Sequence, residues 1–537
     1  MTYAEAIFTG GTVRSPHDGW RPHEALAVAG GRVLALGTRA EVEALRGPGT
    51  RVVDLGGGIA LPGLADAHLH LVRYGLFRSR LDLAGVRSLG ELRERLAAAA
   101  ARTPAGEWIL GQGWLEDGWP EGRLPTAADL DAAAPDHPVL LWRGCLHVAV
   151  ANSLALKLAG VGPGTPDPAG GALDRDESGR PTGILREQAI ALVRRAVPEP
   201  TRAQMESALR GAAAELLRLG ITQVQTDDMR EVGSAAGTVE LYRAALGPDG
   251  IPLRATLIIA YEHLPEAREL GMGPGWGDGW LRSGHVKLFA DGTLGGRTAA
   301  LTAPYADDPG NRGMLIHAPE ELHARVREVH GLGLQLGIHA IGDRALDLVL
   351  DAVAAAQAGE PASGSRRHRA IHCQITRPDQ FRRLRDLGMV ADIQPVFLHT
   401  DGHFFIDRVG PERAATAYAW GTLLRLGVPA CAGSDAPVEP PNPFLGIHAA
   451  VTRQDRQGHP PEGWFPGERL TVAQALELYT RGAAFATFEE EFRGDLRPGK
   501  AADLTVVDRD PFTVPPEELL HLRVVMTVVG GRVAYRA

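Results

Sequence analysis

A chain of 537 residues with 44% hydrophobic content carries enough apolar material for a large core, and its length suits either two to four domains or one decorated barrel. Its 56 basic and 65 acidic residues leave a formal charge of -9, and no run of like charges could track a phosphate backbone, which argues against nucleic acid as a partner. Cys145, Cys373 and Cys431 are too few and too scattered for a disulfide framework or a cysteine zinc site. A reducing, cytoplasmic setting is therefore expected, and no export leader or run of about 18 apolar residues points to a membrane.

The first 60 or so residues read as short strands between turns: 6–8, 25–29, 32–36 after Gly30-Gly31, and 51–55 before Gly56-Gly57-Gly58. From residue 63 the pattern changes. Apolar runs rich in β-branched residues alternate with alanine- and leucine-rich stretches, as in parallel βαβ units. The runs at 63–70, 222–227, 253–260, 285–291, 335–339, 370–374, 389–394 and 429–435 end in polar or charged residues, and their number suits a (β/α)8 TIM-type barrel. Helical intervals at 320–332, 344–358 and 378–387 have apolar residues at three- and four-residue spacing.

Between the first two runs lie about 150 residues, more than one crossover helix needs, so an inserted α+β subdomain is expected at about 72–215. It shows strands at 107–112 and 138–143 and a hairpin turning at Asp176-Glu177-Ser178-Gly179. An insertion after a barrel strand would project over the C-terminal face and help to roof a site there. The chain's end returns to the style of its start, with strand-like runs at 503–508 and 524–529, and Gly530-Gly531 turning into 532–535. A composite β-sandwich of 1–62 and 490–537, beside a barrel of 63–489, is the expected organisation.

His68 and His70 end the first barrel run. Residues two apart in a strand point to the same side, so both imidazoles can converge on one ion. Alone, such a pair is as compatible with two packed or surface histidines; the apolar strand before it and Asp66 beside it favour a metal. Leu61-Pro62-Gly63-Leu64-Ala65-Asp66-Ala67-His68-Leu69-His70 closely resembles the first-strand motif of the amidohydrolase superfamily. Gly494-Asp495-Leu496-Arg497-Pro498-Gly499-Lys500-Ala501-Ala502-Asp503-Leu504 is similar to the segment leading back into that superfamily's small β domain. Gly111-Gln112-Gly113-Trp114-Leu115, Val286-Lys287-Leu288-Phe289-Ala290-Asp291-Gly292-Thr293, His339-Ala340-Ile341-Gly342-Asp343-Arg344 and Gly433-Ser434-Asp435-Ala436-Pro437 resemble amidohydrolase family 3, which includes N-substituted formamide deformylases.

That resemblance implies further ligands. Lys287 cannot bind a cation as an ammonium, but its carbamate, N6-carboxylated by CO2, could bridge two metal ions; a lysine paired with an acid inside the barrel is the alternative. His339 and His372 end consecutive strands, where the superfamily places second-metal ligands; Cys373 should point away and pack. Asp435 can bind the first metal and take a proton from water as general base and acid; the alternative is a cap on the turn in Ser434-Asp435-Ala436-Pro437. Substrate-pocket candidates are Gln112, Trp114, His147 and Asn152 in the insertion, and Asp291, Arg297 and His399 after barrel strands. Leu146-His147 departs from the Gly-His frequent in the subfamily, and Glu187 matches a frequent acid there.

The function these residues imply is hydrolysis of an amide-type C–N bond in a small molecule by metal-activated water. Two zinc ions are the default, although imidazole and carboxylate also accept iron, manganese or nickel. A mononuclear deaminase of a ring amidine and a catalytically silent scaffold are the alternatives, and the resemblance is compatible with a homodimer.

Overall fold

The apolar runs from residue 63 onward lie side by side as one eight-stranded parallel sheet in the computed structural model of the protein, which describes residues 3–116, 118–144, 147–358 and 365–537. In order the strands are Leu64–Leu69, Ile221–Thr226, Arg254–Ala260, Leu281–Phe289, Leu336–Ala340, Arg369–His372, Val390–Ile393 and Ala430–Ala432. Every neighbouring pair is parallel. Their side chains are buried on both faces, which explains why they read as near-continuous apolar runs.

Closure falls on the backbone just past the last strand. Asp435 N donates to His68 O at 2.7 Å and His70 N to Ala436 O at 2.9 Å, joining the eighth strand to the first. Gly433 makes this approach possible: a Cβ there would lie 2.5 Å from His68 N and 2.7 Å from Asp66 Oδ1.

Each expected strand is present, with differences at the ends that have local causes. The fourth begins at Leu281, ahead of the run at 285–291, because Leu281, Arg282 and Ser283 already pair with the third strand. The sixth stops at His372, because His372 and Cys373 are successive left-handed residues with φ of 79° and 48°. The eighth is cut to Ala430–Ala432 by the turn at Gly433 and by Asp435, at φ 57°. Helices Pro319–Gly331, Asp343–Ala356 and Pro378–Asp386 occupy the expected intervals; the second buries Leu346, Val349, Leu350 and Val353 at helical spacing.

The described chain divides into two compact units, one of Met1–Tyr74 with Leu209–Ala537 and the other of Gly75–Ala208. In the first, besides the barrel, terminal strands form two sheets. One contains Ala4–Thr9, Ala25–Ala29, Arg32–Gly37 and Arg46–Asp54; the other contains Thr12–Val13, Ile59–Pro62, Leu504–Val507, Val524–Val529 and Arg532–Arg536. Phe8, Leu26 and Val28 of the first sheet share a core with Val506, Met526 and Val528 of the second. The second unit is built on a six-stranded sheet that includes Ile109–Trp114, Val139–Arg143 and the hairpin Gly171–Arg175 with Pro181–Glu187. Alternation along Val139–Arg143 sends Leu141 into one apolar cluster and Leu140 and Trp142 into another. Among the described residues, no helix is long and apolar enough to cross a membrane.

Next to the fifth barrel strand, buried His368 accepts a hydrogen bond from Leu336 N at Nδ1 (3.0 Å) and donates through Nε2 to His330 Nδ1 (2.9 Å). Burial, with His330 and Arg366 nearby, pushes its pKa down to about 3. A histidine held neutral in the fold contributes stability above the unfolded value of about 6.5, and that contribution is lost as pH falls from there toward 3. Thermal unfolding between pH 7 and pH 4.5 should therefore show a shallower loss of Tm in His368→Gln than in wild type. Equal slopes would remove His368 from the account of acid sensitivity.

Candidate metal centre

Strand alternation and the closing turn bring three side chains together. His68 and His70 project from one side of the first strand, with ring centroids 5.9 Å apart. Asp435 approaches from beyond the eighth strand: its Oδ1 lies 3.2 Å from His70 Nε2 and 3.8 Å from His68 Nε2. Ligand atoms of His68, His70 and Asp435 all lie within 4.8 Å of one another.

These residues fit a cation. His70 Nδ1 donates to Asp227 O at 2.7 Å, which turns Nε2 toward the carboxylate. Asp435 Oδ1 is buried and accepts no hydrogen bond of good geometry. Burial alone would raise Asp435, but His70, with His372 and Lys287 beyond it, holds it down at about 2. Burial works against a charged His70, yet Asp435 and the nearby Asp227 and Asp228 raise it to about 9. A proton on Nε2 thus occupies the place between imidazole and carboxylate that a divalent ion would take, with the same sign of charge.

Lys287, on the fourth strand and 1% exposed, places Nζ 3.0 Å from His68 Nε2 and 5.0 Å from the Phe289 ring centroid. Burial lowers its pKa to about 8 against the pull of Asp227, Asp435 and Asp392. His339 and His372 meet edge to face at 4.6 Å, and His372 lies 5.9 Å from His68. His372 donates through Nδ1 to Gln394 Oε1 at 2.7 Å, and His339 through Nε2 to Gly292 O at 2.9 Å. These bonds leave His372 Nε2 and His339 Nδ1 as the unengaged lone pairs. The fold thus gathers His68, His70, Lys287, His339, His372 and Asp435 from the ends of four strands and the closing turn. Beside Lys287 a cleft of about 230 Å³ is lined by Arg230, Tyr261, Phe289, Ile316, His317 and Arg325 among others.

Asp66, inside the same motif, is a brace. Its Oδ1 accepts from His68 N and Ser434 N, both at 3.1 Å, and its Oδ2 accepts the Ser434 hydroxyl at 2.6 Å. The carboxylate therefore ties the first strand to the closing turn. Asp66→Ala would strand buried donors and is expected to destabilise the protein by roughly 2–3 kcal/mol in urea unfolding. A change below about 0.5 kcal/mol would show that closure does not depend on this tie.

The remaining candidates are placed differently. Asp291 accepts from Ala300 N, Ile341 N and Gly342 N at 2.8–3.0 Å, so it anchors the loop after the fourth strand, and lies 3.4 Å from His339 Nε2. Arg297 pairs with Asp307 at 2.9 Å. His399 is buried against His448, Nε2 to Nδ1 at 3.1 Å, with its own Nδ1 lacking a hydrogen-bond partner. Gln112, Trp114, His147, Asn152 and Glu187 belong to the second unit. There Gln112 accepts from Arg80 at 3.0 Å, Trp114 is part of the apolar core, and His147 pairs with Glu187 at 3.0 Å. Asn152 caps the helix Ser153–Leu158. Cys373 is buried and bonded to Ala370 O, as its packing role requires; Cys145 and Leu146 lie outside the described residues.

Several contributors escaped sequence reasoning. Asp227 holds His70 through its carbonyl, Gln394 holds His372, and Asp392 stands 3.6 Å from His68 Nδ1. Their one signal was a polar residue within or just after an apolar strand run.

A model of the amidohydrolase family matches residues 51–535. The chain is 34% identical to YtcJ of Bacillus subtilis, assigned as an amidohydrolase, over 99% of each chain. It is 30% identical to N-substituted formamide deformylase of Arthrobacter pascens, over 95% of each. Among solved structures it is similar to an uncharacterized metal-dependent hydrolase from Pyrococcus furiosus, with a TM-score of 0.77 and 32% identity, covering 95% of this chain and 100% of that one.

Proposed function

The chain belongs to the amidohydrolase family and is a metal-dependent hydrolase, and from that premise we propose that it cleaves an amide-type C–N bond of a small molecule. The observation that carries this reading is the convergence of His68, His70 and Asp435 within 4.8 Å, with Asp435 Oδ1 buried and 3.2 Å from His70 Nε2. These three would hold one ion. His339 and His372 would hold a second, and Lys287, N6-carboxylated, would supply a shared anion between them. Zinc suits the imidazole and carboxylate donors best, with iron, manganese or nickel accepted by the same set.

A bound metal supplies Lewis-acid chemistry, polarising the substrate carbonyl and making water nucleophilic near neutral pH. The chain's own residues do the rest. Asp435, ionised at neutral pH, takes the proton from the attacking water and returns it to the leaving nitrogen. Asp227 and Gln394 hold His70 and His372 with fixed tautomers, so their ligand nitrogens need no reorientation. The cleft beside Lys287, walled by Phe289, Tyr261 and Ile316, would seat the substrate's apolar part. We also read the terminal sheets as one composite β-sandwich and Gly75–Ala208 as an α+β subdomain inserted after the first barrel strand.

The test is metal analysis combined with hydrolysis of N-formyl, N-acyl and cyclic amides, with esters and lactones as controls. About two ions per chain and amide turnover abolished by chelation are expected. Turnover of esters or lactones alone would overturn the leaving-group assignment. A mononuclear deaminase of a ring amidine is the second reading, favoured by the fact that one compact ligand trio is found among the described residues. One ion with ammonia release would select it.

A further inference from the structure

We infer that Asp392 is a positioning residue that sets the imidazole orientation of both halves of the metal centre, directly at His68 and through Gln394 at His372. This rests on the metal-centre reading above. Asp392 and Arg369 are both 0% exposed, inside the barrel on the seventh and sixth strands. A charge so placed is costly unless its partners are specific.

The partners are specific, and they lead to two metal ligands. Asp392 Oδ2 accepts from Arg369 Nη2 at 2.7 Å and lies 3.6 Å from His68 Nδ1, a ring nitrogen that has no hydrogen-bond partner among the described residues. Asp392 Oδ1 accepts from Gln394 Nε2 at 3.2 Å, which directs Gln394 Oε1 at His372 Nδ1, 2.7 Å away. Arg369 Nη2 also donates to Ala67 O at 2.9 Å, and Nη1 to Gln225 Oε1, with His285 Nδ1 3.2 Å off. The guanidinium therefore fixes the carboxylate and braces the backbone between the Asp66 tie and His68.

A negative charge at His68 Nδ1 favours the tautomer with its proton there and the lone pair on Nε2, the atom that faces Asp435 and Lys287. Gln394 enforces the same tautomer on His372. One carboxylate thus couples two imidazoles that come from strands far apart in the sequence.

A purely structural ion pair predicts loss of stability and nothing more, so the test separates stability from ligand orientation. Removing both charges together, in Arg369→Met with Asp392→Leu, keeps volume and leaves no unpaired charge; such replacements are often neutral or stabilising. Zinc affinity, measured by competition with a chromophoric chelator, is expected to weaken by about 10- to 100-fold at both ions, with Tm within a few degrees of wild type. Gln394→Leu, which keeps the ion pair, should weaken one ion and leave the other. In the metal-free protein, 15N-histidine spectra should show His372 changing from a single tautomer to a mixture in Gln394→Leu. This readout stands even if the double variant does not fold. Wild-type zinc affinity in the folded double variant, or an unchanged His372 tautomer in Gln394→Leu, would overturn the inference. Wild-type protein that binds no metal would instead overturn the metal-centre reading itself, and the inference with it.

Discussion

Asp435→Asn is expected to lower amide turnover by at least about 1,000-fold while the fold stays intact, because in the proposed mechanism it removes the group that accepts water's proton and the only anion of the converged trio. Asparagine is the right replacement on conformational grounds. Asp435 sits at φ 57°, a left-handed position that asparagine tolerates better than other side chains with a Cβ. The backbone bonds that close the barrel, Asp435 N to His68 O at 2.7 Å and Val438 N to Asp435 O at 2.9 Å, do not involve the side chain. The barrel should therefore stay closed, with a fall in Tm of the metal-free protein that reflects loss of the buried His70–Asp435 pair. A kcat near that of wild type, measured with metal saturating, would contradict the assignment of Asp435 as proton carrier.

Lys287→Ala should have an effect of similar size for a different reason. An ammonium within about 4 Å of a divalent ion would be repelled by about 8 kcal/mol at an effective dielectric of 20. Lys287 Nζ lies 3.0 Å from His68 Nε2, so in the proposed two-metal centre it would not be held as a cation. Carboxylation of Nζ reverses the sign of this interaction. Alanine would remove the anion and leave a cavity beside Phe289, so the variant is expected to keep one ion and lose at least about 100-fold in kcat, with partial recovery in millimolar acetate or propionate. Two ions and full turnover in Lys287→Ala would rule out the bridging carbamate.

The barrel was legible because strands covered on both faces must be apolar along their whole length, whatever lies around them. His68 and His70 were legible for the related reason that imidazoles at the end of such a run need a purpose. What the sequence could not convey is contact between distant positions. Asp392 lies inside the run at 389–394 and Arg369 just before the run at 370–374, and nothing in either run points to the other; the closed barrel pairs them, 23 positions apart. His399 was a pocket candidate by its place after a strand, and its contact with His448, 49 positions later, could not be read from sequence. Trp114 lay in a family-like motif, yet the sheet of the second unit turns it into the core with Trp119 and Leu141. Strand ends were displaced where left-handed residues, as at His372 and Cys373, stop a strand that composition alone would continue.

The central claim is that His68, His70 and Asp435 hold the metal on which hydrolysis depends. Crystals of wild-type protein grown with zinc, measured on both sides of the zinc absorption edge, test it most directly. The account predicts an anomalous peak within bonding distance of His68 Nε2, His70 Nε2 and Asp435 Oδ1, about 2.0–2.2 Å from each. Zinc bound only elsewhere, with these three side chains still paired to one another, would contradict it.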